Sequence, residues 1–146
     1  MLKELSSSLE DYLEAIYDLS LKDGFARASA VSRRLKVSKP SVSSAVKALA
    51  ARGLLVQERY AYIRLTPAGL RAGADITGRH SLLKEFFISV LGMREADAER
   101  DACKAEHALS QEALCRFGGL FGYLKSPSRR AALAAAKKAA SGGCRL

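Results

Sequence analysis

The sequence predicts a mainly α-helical protein in which a winged helix-turn-helix module precedes an all-helical module, and three observations support this fold class. Apolar residues recur at helical spacing along most of the 146-residue chain. Capping serines or a threonine–proline pair stand before several of these stretches. Residues 54–65, LLVQERYAYIRL, instead show two short β-favouring runs around a polar centre, which predicts a two-stranded hairpin.

The first module is predicted to contain three helices, followed by the hairpin as a wing. Ser7 and Glu10 form the capping-box pattern that opens the first helix. Ser38 caps the third helix, Pro40 fits in its first turn, and Gly53 ends it. The predicted helices span about 8–21, 29–35 and 39–52.

The second module is predicted to be helical throughout. Thr66 and Pro67 supply a cap and a first-turn proline for a long helix that Gly92 stops. Ser110 and Ser126 are expected to cap two later helices. The predicted helices span about 67–91, 95–109, 110–121 and 127–140. The chain shows no internal repeat and no low-complexity linker, and we expect the long helix from Pro67 to join the two modules rigidly. We place the two domains at residues 1–72 and 73–146.

Composition excludes several classes of protein. No apolar run approaches the roughly 18–20 residues that span a bilayer, and the N-terminus lacks the pattern of a signal peptide. The three cysteines are too few and too scattered for a disulfide framework. Of these, Cys115 is expected in the core and Cys144 in a frayed tail. These features predict a cytoplasmic globular protein with no membrane association.

Positive charge is concentrated in one part of the chain. The net charge is +9, and residues 22–72 alone contain eleven Lys or Arg and two acidic residues. Such a basic stretch is expected of a nucleic-acid-binding unit, although a solvated basic face on an ordinary domain has the same composition. The order of the predicted elements therefore has to decide between these two interpretations.

A helix, a short helix, a turn, a helix and a hairpin, in this order, predict a winged helix-turn-helix that binds DNA. The second helix of the pair enters the major groove by its N-terminal end, and here that end is rich in small hydroxyl residues that allow close approach to phosphates and bases. The predicted DNA contacts are Arg27, Ser29, Arg33, Arg34, Ser38, Lys39, Pro40, Ser41, Ser43, Ser44, Lys47, Arg59 and Tyr60. Alternatively, the serines only cap a helix and the basic residues only face solvent. No Arg or Asn stands on the exposed face of this helix for bidentate purine recognition, so DNA shape is expected to carry much of the specificity.

Potential metal ligands lie at helical spacing in the segment CKAEH. Cys103, Glu106 and His107 stand at i, i+3 and i+4, which places a thiol, a carboxyl and an imidazole on one helix face. Such a set forms half of a first-row transition-metal site. The candidate ligands on three predicted helices are Asp11, Glu14, His80, Cys103, Glu106 and His107. A helical bundle can bring them together; otherwise the cysteine is a core residue and the charged side chains face solvent.

Five segments together resemble the metal-dependent repressors of the diphtheria toxin repressor / manganese transport regulator family. They are EDYLEAIY, VSKPSVSSAVKAL, LTPAG, RHSLL and ACKAEHALS, in this order, and the resemblance covers about residues 8–140. It implies a homodimer with an N-terminal winged helix and a helical dimerisation domain. It also implies that Fe(II) or Mn(II) activates binding to palindromic operators, which represses genes of metal-ion homeostasis. In length the chain is similar to the compact, manganese-type members that lack an SH3-like domain.

The resemblance places all six candidate ligands at ligand positions of the family, but some residue types depart from the family pattern. Asp11 stands where iron-type members have methionine, and Cys103 stands where manganese-type members have glutamate. Lys84 replaces an acidic residue one turn after His80. Glu99, one turn before the cysteine, stands where iron-type members have histidine and is a further candidate ligand.

This mixed ligand set bears on the choice of metal. A thiolate and an imidazole favour Fe(II), Co(II), Zn(II) or Ni(II), whereas an all-carboxylate set suits Mn(II). We therefore expect Fe(II) as the physiological ion and Mn(II) second, with Zn(II) or Co(II) as substitutes in vitro and no organic cofactor. The alternative is a winged-helix regulator that responds to an organic ligand or a protein partner. In that case Cys103 has only a structural role. An enzyme is not expected, because nothing in the sequence resembles a substrate pocket, a general base or a phosphate-binding loop.

Overall fold

A computed structural model describes residues 5–59 and 62–142, which form the mainly helical fold that the sequence predicts. The chain divides into two compact units, Met1–Thr77 and Gly78–Leu146. The described elements are α1 (Ser7–Asp23), β1 (Ala26–Arg27), α2 (Ala28–Leu35), α3 (Lys39–Ala50), β2 (Leu55–Gln57), β3 (Tyr62–Leu65), α4 (Pro67–Ser89), α5 (Glu95–Ala108), α6 (Gln111–Lys125), a 3-10 turn (Pro127–Arg129) and α7 (Arg130–Ser141). None of the described helices is long and apolar enough to cross a membrane.

Serine caps begin two of the three helices that open the first unit. Ser38 Oγ accepts a hydrogen bond from the Ser41 backbone N–H at 3.2 Å, as expected for the start of α3. For α1, the predicted cap at Ser7 is wrong by one residue, because Ser6 Oγ accepts from the Leu9 N–H and Ser7 already belongs to the helix. Residues 6–8 are all serine, so the sequence pattern does not separate neighbouring caps. At the other end, α3 stops at Ala50, before the predicted glycine.

A third strand joins the predicted hairpin. β2 and β3 pair antiparallel with Leu55 opposite Leu65, and β1 pairs with the other side of β3 with Ala26 opposite Ile63. The strand order is therefore β1-β3-β2. The two-stranded wing is a correct but incomplete prediction, because a two-residue strand is too short to show alternating hydrophobicity.

One continuous hydrophobic core holds the first unit together. Leu13 and Ile16 of α1, Val31 of α2, Leu49 of α3 and Ile63 of β3 are all fully buried. Each such side chain contributes about 1.5–3 kcal/mol when it leaves water. All three helices that precede the wing are therefore anchored to the same core.

Two glycines let the first turns of α4 approach the rest of this unit. A Cβ added at Gly69 would lie 1.8 Å from the carbonyl oxygen of Leu54, and one added at Gly73 would lie 2.7 Å from Cβ of Tyr17. A glycine inside a helix costs about 0.5–1 kcal/mol relative to alanine. Close backbone approach explains why α4 nevertheless carries glycine at both positions.

The second unit has two smaller apolar clusters. The buried members are Leu83, Ala102 and Leu114 in one cluster and Phe86, Val90 and Phe121 in the other. The predicted end of α6 at about Phe121 is wrong, because the helix continues to Lys125 and so packs Leu124 against the second cluster. The last predicted helix begins as the 3-10 turn and becomes α-helical only from Arg130.

Candidate nucleic-acid interface and metal centre

The N-terminal end of α3 forms part of an exposed polar surface on the first unit. Val42, Ala45, Val46 and Leu49 of this helix face the core. Ser43, Ser44 and Lys47 face solvent. The predicted DNA contacts that the structure describes are all exposed: Arg27, Ser29, Arg33, Arg34, Ser38, Lys39, Pro40, Ser41, Ser43, Ser44, Lys47 and Arg59. Tyr60 lies outside the described residues. The first unit therefore presents hydroxyl groups and positive charge on one helix-turn-helix.

Two of these serines are engaged in the helix cap. Ser38 Oγ lies 2.8 Å from Ser41 Oγ in addition to accepting the Ser41 N–H. These two hydroxyls stabilise the first turn of α3. Ser43 and Ser44 lie further along the exposed face, where their small side chains leave room for a phosphate or a base edge.

Two arginines near α2 differ in how they are held. The Arg27 guanidinium lies 5.1 Å from the centre of the Tyr62 ring, which itself meets Phe25 edge-to-face with ring centres 4.6 Å apart. A cation over an aromatic face is held in place while its N–H groups stay available to a phosphate. Arg34 instead pairs with Asp18 of α1. To contact a phosphate, Arg34 must either break its ion pair with Asp18 or use guanidinium N–H groups that this ion pair does not engage.

A cleft of about 360 Å³ opens between the start of α2, the N-terminal end of α3 and β2. Its lining residues are Arg27, Ala28, Ser29, Lys39, Val42, Ser43, Val46 and Gln57. Sequence reasoning missed Gln57, because it assigned the contribution of the wing to the hairpin tip. The sequence feature that could have indicated Gln57 is its position as a polar residue at the end of a short β-favouring run.

On the second unit, α4 and α5 bring together a buried glutamate and two histidines. The Glu106 side chain is 1% exposed, and its Oε2 lies 2.8 Å from His80 Nδ1. Its Oε1 lies 3.3 Å from His107 Nε2. His80 precedes Glu106 by 26 residues, so their contact depends on how α4 packs against α5.

The Glu106 carboxylate has incomplete hydrogen bonding. Within the described part of the chain, Oε1 has no hydrogen-bond partner, since the His107 ring is close to it but is not aligned for a hydrogen bond. A buried carboxylate with a free oxygen is costly, and a cation beside it removes that cost. Ligand atoms at about 2.1 Å from an octahedral ion lie about 3 Å apart, close to the separations observed here. These donors therefore fit a divalent metal ion.

Glu99 and Lys84 extend this polar network towards the surface. Glu99 Oε1 lies 3.0 Å from His80 Nε2, and Glu99 Oε2 lies 2.8 Å from Lys84 Nζ. The hydrogen bond from Lys84 lowers the pKa of Glu99. The hydrogen bonds to Glu99 and then to Glu95 raise the pKa of Lys84. Glu99 is therefore held as a carboxylate beside the His80 ring.

The two predicted ligands of α1 lie in the first unit. Asp11 and Glu14 are three residues apart in one continuous helix, as predicted, and their side chains are partly buried. They flank Tyr12 and Leu13, which are buried in the core of that unit. The second unit by itself thus brings together His80 with two carboxylates and a second histidine, and α1 presents a further pair of carboxylates.

The structure places one of the cysteines differently from the prediction. Cys103 lies on α5 one turn before Glu106, and its side chain is exposed. The expectation that Cys115 is a core residue is wrong, because α6 turns Leu114 inward and leaves the neighbouring thiol exposed. Cys144 lies outside the described residues.

Comparison with known proteins gives two matches in succession along the chain. The protein-family model described as "Iron dependent repressor, N-terminal DNA binding domain" matches residues 4–62. A second family model, "Iron dependent repressor, metal binding and dimerisation domain", matches residues 66–130. The HTH-type transcriptional regulator MntR of Geobacillus kaustophilus (strain HTA426) is 38% identical over 123 residues, which cover 84% of this chain and 86% of that protein. The chain belongs to the diphtheria toxin repressor / manganese transport regulator family.

Other members of the family agree with this assignment. MntR of Geobacillus thermodenitrificans (strain NG80-2) is 37% identical over 123 residues, again 84% of this chain and 86% of that protein. IdeR of T. acidophilum is 27% identical with a TM-score of 0.69, over 77% of this chain and 53% of its own. A manganese-dependent transcriptional repressor solved with manganese is 28% identical with a TM-score of 0.71, over 79% of this chain and 53% of its own. The chain spans about half the length of these solved structures.

Membership confirms the predicted family, fold class and function. This family member is a metal-dependent, DNA-binding transcriptional repressor, and its relatives are regulators rather than enzymes. The two matched domains support duplex DNA, a divalent metal ion and a second copy of the chain as its partners. The names of its relatives point to manganese, so the predicted ranking of Fe(II) before Mn(II) is not confirmed.

Proposed function

We propose that this repressor binds its operator when divalent metal is held by side chains from three helices. The proposed ligands are Asp11, Glu14, His80, Cys103, Glu106 and His107. The observation that supports this centre best is the buried Glu106 carboxylate, whose Oε1 has no hydrogen bond among the described residues although both histidines lie within 3.3 Å of the carboxylate. A divalent ion supplies the positive charge that a buried carboxylate needs.

Asp11 and Glu14 connect this centre to DNA binding. Both lie on α1, which also buries Leu13 and Ile16 in the core that anchors α3. A shared cation would offset the repulsion between these carboxylates and Glu106. By holding α1 to the donors of α4 and α5, it would set the spacing of the two recognition helices in the dimer. By linkage, operator DNA then tightens ion binding by the same factor.

The proposed domains are residues 1–72 for DNA binding and residues 73–146 for metal binding and dimerisation. The N-terminal end of α3 enters the major groove, where Ser43 and Ser44 face the bases and Lys39 and Lys47 face phosphates. The cation–π contact of Arg27 keeps its guanidinium ready for a further phosphate. A two-fold dimer reads a palindromic operator, since each half-site meets an identical subunit. The protein acts in the cytoplasm, and this mechanism requires no organic cofactor.

The choice of ion depends on Cys103. Its thiolate favours Fe(II), whereas the relatives by name favour manganese. Cys103→Glu replaces the soft ligand with a hard one, so we expect it to raise the affinity for Mn(II) relative to Co(II), with Co(II) standing in for Fe(II). Competition between the two ions during equilibrium dialysis measures this ratio, and an unchanged ratio would show that the thiol is not a ligand.

The metal centre is tested by anaerobic optical titration of the ion-free protein with Co(II). We expect a near-UV thiolate-to-cobalt band in the wild type and in Cys115→Ala, and its loss in Cys103→Ala. Cys115 is the matched control, because its thiol is also exposed and lies on a helix of the same unit. If the wild type bound no Co(II), the proposed metal centre would be wrong. The regulator would then have to respond to an organic ligand or a protein partner.

A further inference from the structure

The register of the wing directs Gln57 towards the helix-turn-helix. Side chains alternate between the two faces of a strand, so Gln57 shares a face of β2 with Leu55, which is 1% exposed. Gln57 also stands opposite Ile63 of β3, and Ile63 is fully buried. Leu55 and Ile63 belong to the core that the sheet shares with the first three helices. The last residue of β2 therefore lies on the helix-facing side of the sheet, although its own side chain is exposed.

At this position Gln57 lines the cleft of about 360 Å³ between α2, α3 and β2. Arg27 and Lys39 bring two positive charges to the same cleft, and Ser29 and Ser43 bring two hydroxyl groups. Its remaining described lining residues are apolar, and none of the described residues that line it is acidic. Cations, hydroxyls and an amide all donate hydrogen bonds to phosphate oxygens, and an apolar wall suits the sugar beside a phosphate. The lining therefore fits a phosphodiester group.

The acidic neighbour of Gln57 is held on the other face of the hairpin. Glu58 Oε1 accepts a hydrogen bond from Arg64 Nε at 2.9 Å. Arg64 stands opposite Val56, whose side chain is 49% exposed on the face of β2 that points away from the core. The Glu58 carboxylate is thus neutralised by Arg64 and does not set a negative charge against an anion in the cleft.

We propose that this cleft seats one phosphodiester of the operator backbone and that Gln57 is a positioning residue whose amide N–H donates to a phosphate oxygen. Duplex DNA is the anionic partner that the matched N-terminal domain implies. Arg27 and Lys39 supply the charge for the same group, and Gln57 connects it to the strand of the wing. The contact fixes the DNA strand relative to the N-terminal end of α3. It rests on the proposed function, because it requires that end of α3 to enter the major groove.

Non-specific DNA binding measures this contact, because a phosphate contact does not depend on the base sequence. The probe is a fluorescein-labelled duplex of random sequence, three helical turns or about 30 base pairs long. It is titrated with the full chain in excess Mn(II), and the anisotropy is recorded at several salt concentrations. The slope of log K against log[salt] changes by about 0.9 for each phosphate that the protein neutralises.

Gln57→Lys places a cation where the structure has the amide. We expect it to steepen the slope by about 0.9 for each subunit that contacts the duplex. Val56→Lys is the matched control, because it adds the same charge one residue earlier on the opposite face of β2, and it is expected to leave the slope unchanged. Circular dichroism checks that both variants are folded. Equal steepening by the two variants would show that the charge of the wing, and not the cleft, determines the effect.

Gln57→Ala tests the amide itself. We expect binding to weaken about tenfold for each subunit that contacts the duplex, as for the loss of one hydrogen bond to a charged group. The slope should not change, because the amide is neutral. Gln111→Ala, at the only other glutamine of the chain, is expected to keep the wild-type affinity, since Gln111 lies on α6 of the second unit. Wild-type affinity in Gln57→Ala would overturn the proposal.

Lys47→Ala separates this proposal from the DNA-binding surface on which it rests. Lys47 lies on α3 outside the cleft, and its loss is expected to flatten the slope by about 0.9 for each subunit. A wild type that does not bind the duplex, or an unchanged slope in Lys47→Ala, would overturn the placement of α3 together with the cleft contact. A flattened slope in Lys47→Ala and a wild-type slope in Gln57→Lys would overturn the role of Gln57 alone.

Discussion

The two units of the molecule bury different kinds of side chain. The first unit has one continuous apolar cluster that runs from α1 through the sheet to Ile76 of α4. The second divides its apolar residues between a cluster around Leu83 and another around Phe86, and it also buries the Glu106 carboxylate. The first unit thus has a continuous apolar core, whereas the second contains a buried charge that the described side chains leave incompletely hydrogen-bonded.

This difference shows where a signal can act. A close-packed apolar core is insensitive to the ions in solution, so it suits a unit that must present a fixed surface to DNA. A buried carboxylate with a free oxygen gains stability when a cation binds, so the second unit is the part whose free energy follows metal concentration. The comparison predicts that truncation of a core side chain in the first unit lowers the free energy of unfolding whether or not metal is present. It also predicts that metal binding raises this free energy through the second unit.

The largest effect is expected from the apolar core of the first unit. Leu49→Ala removes a side chain that is 0% exposed, and such truncations cost about 2–5 kcal/mol. Urea unfolding of the ion-free protein measures the free energy of unfolding. Leu21→Ala, at a leucine that is 66% exposed on α1, is expected to change it by less than about 0.5 kcal/mol. Equal losses from the two variants would contradict the burial that the structure shows.

The next effect comes from the metal. At a free Co(II) concentration one hundred times the Kd, the folded protein gains about 2.7 kcal/mol, and Glu106→Ala is expected to remove that gain. Glu112→Ala serves as the control, because Glu112 is exposed and pairs with Arg116. Thermal unfolding at one fixed protein concentration measures the gain. If Glu106→Ala kept it, the buried carboxylate would not be a ligand.

The smallest effect concerns the Lys84–Glu99 pair in the ion-free protein. The pKa of Glu99 is lowered from 4.5, so its contribution to stability is present above 4.5 and is lost as the pH falls through the folded-state pKa. The pKa of Lys84 is raised from 10.5, so its contribution is present below 10.5 and is lost as the pH rises through the folded-state value. We expect the stability difference between wild type and Lys84→Gln to be greatest between these limits, as urea unfolding at several pH values measures. A difference that increased in acid would exclude this ion pair as its source.

Local signals predicted most of the fold. Caps at Ser38 and Ser110, together with apolar spacing, located helices to within a few residues, because these features act over a single turn. The missed strand, Ala26–Arg27, has no local signal, since its pairing partner Ile63 lies far along the chain. The end of α6 differs from the prediction for a similar reason. Leu124 packs against the cluster that contains Phe86 and Val90, and such tertiary packing leaves no local signal in the sequence.

The candidate site was predictable in part. The shared face of Cys103 and Glu106 follows from spacing within one helix. The contact between His80 and Glu106 depends on the packing of α4 against α5, which neither spacing nor composition contains. His80 is a candidate ligand already as one of only two histidines in the chain, and the family resemblance matches it to a ligand position. The resemblance marked Lys84 only as a departure from the pattern. The bond between Lys84 and Glu99 became visible only in three dimensions.

A single hydroxyl links the wing to the helices on either side of it. Thr66 Oγ1 donates to the carbonyl of Gly53 at 2.7 Å, just after α3, and accepts the N–H of Gly69 at 3.1 Å in the first turn of α4. The end of the recognition helix, the exit of the wing and the start of α4 are therefore joined at one residue. We therefore expect the helix-turn-helix and its wing to act as one rigid surface that adapts little to the duplex. We expect operators to differ in affinity according to how easily the DNA bends and narrows to meet it.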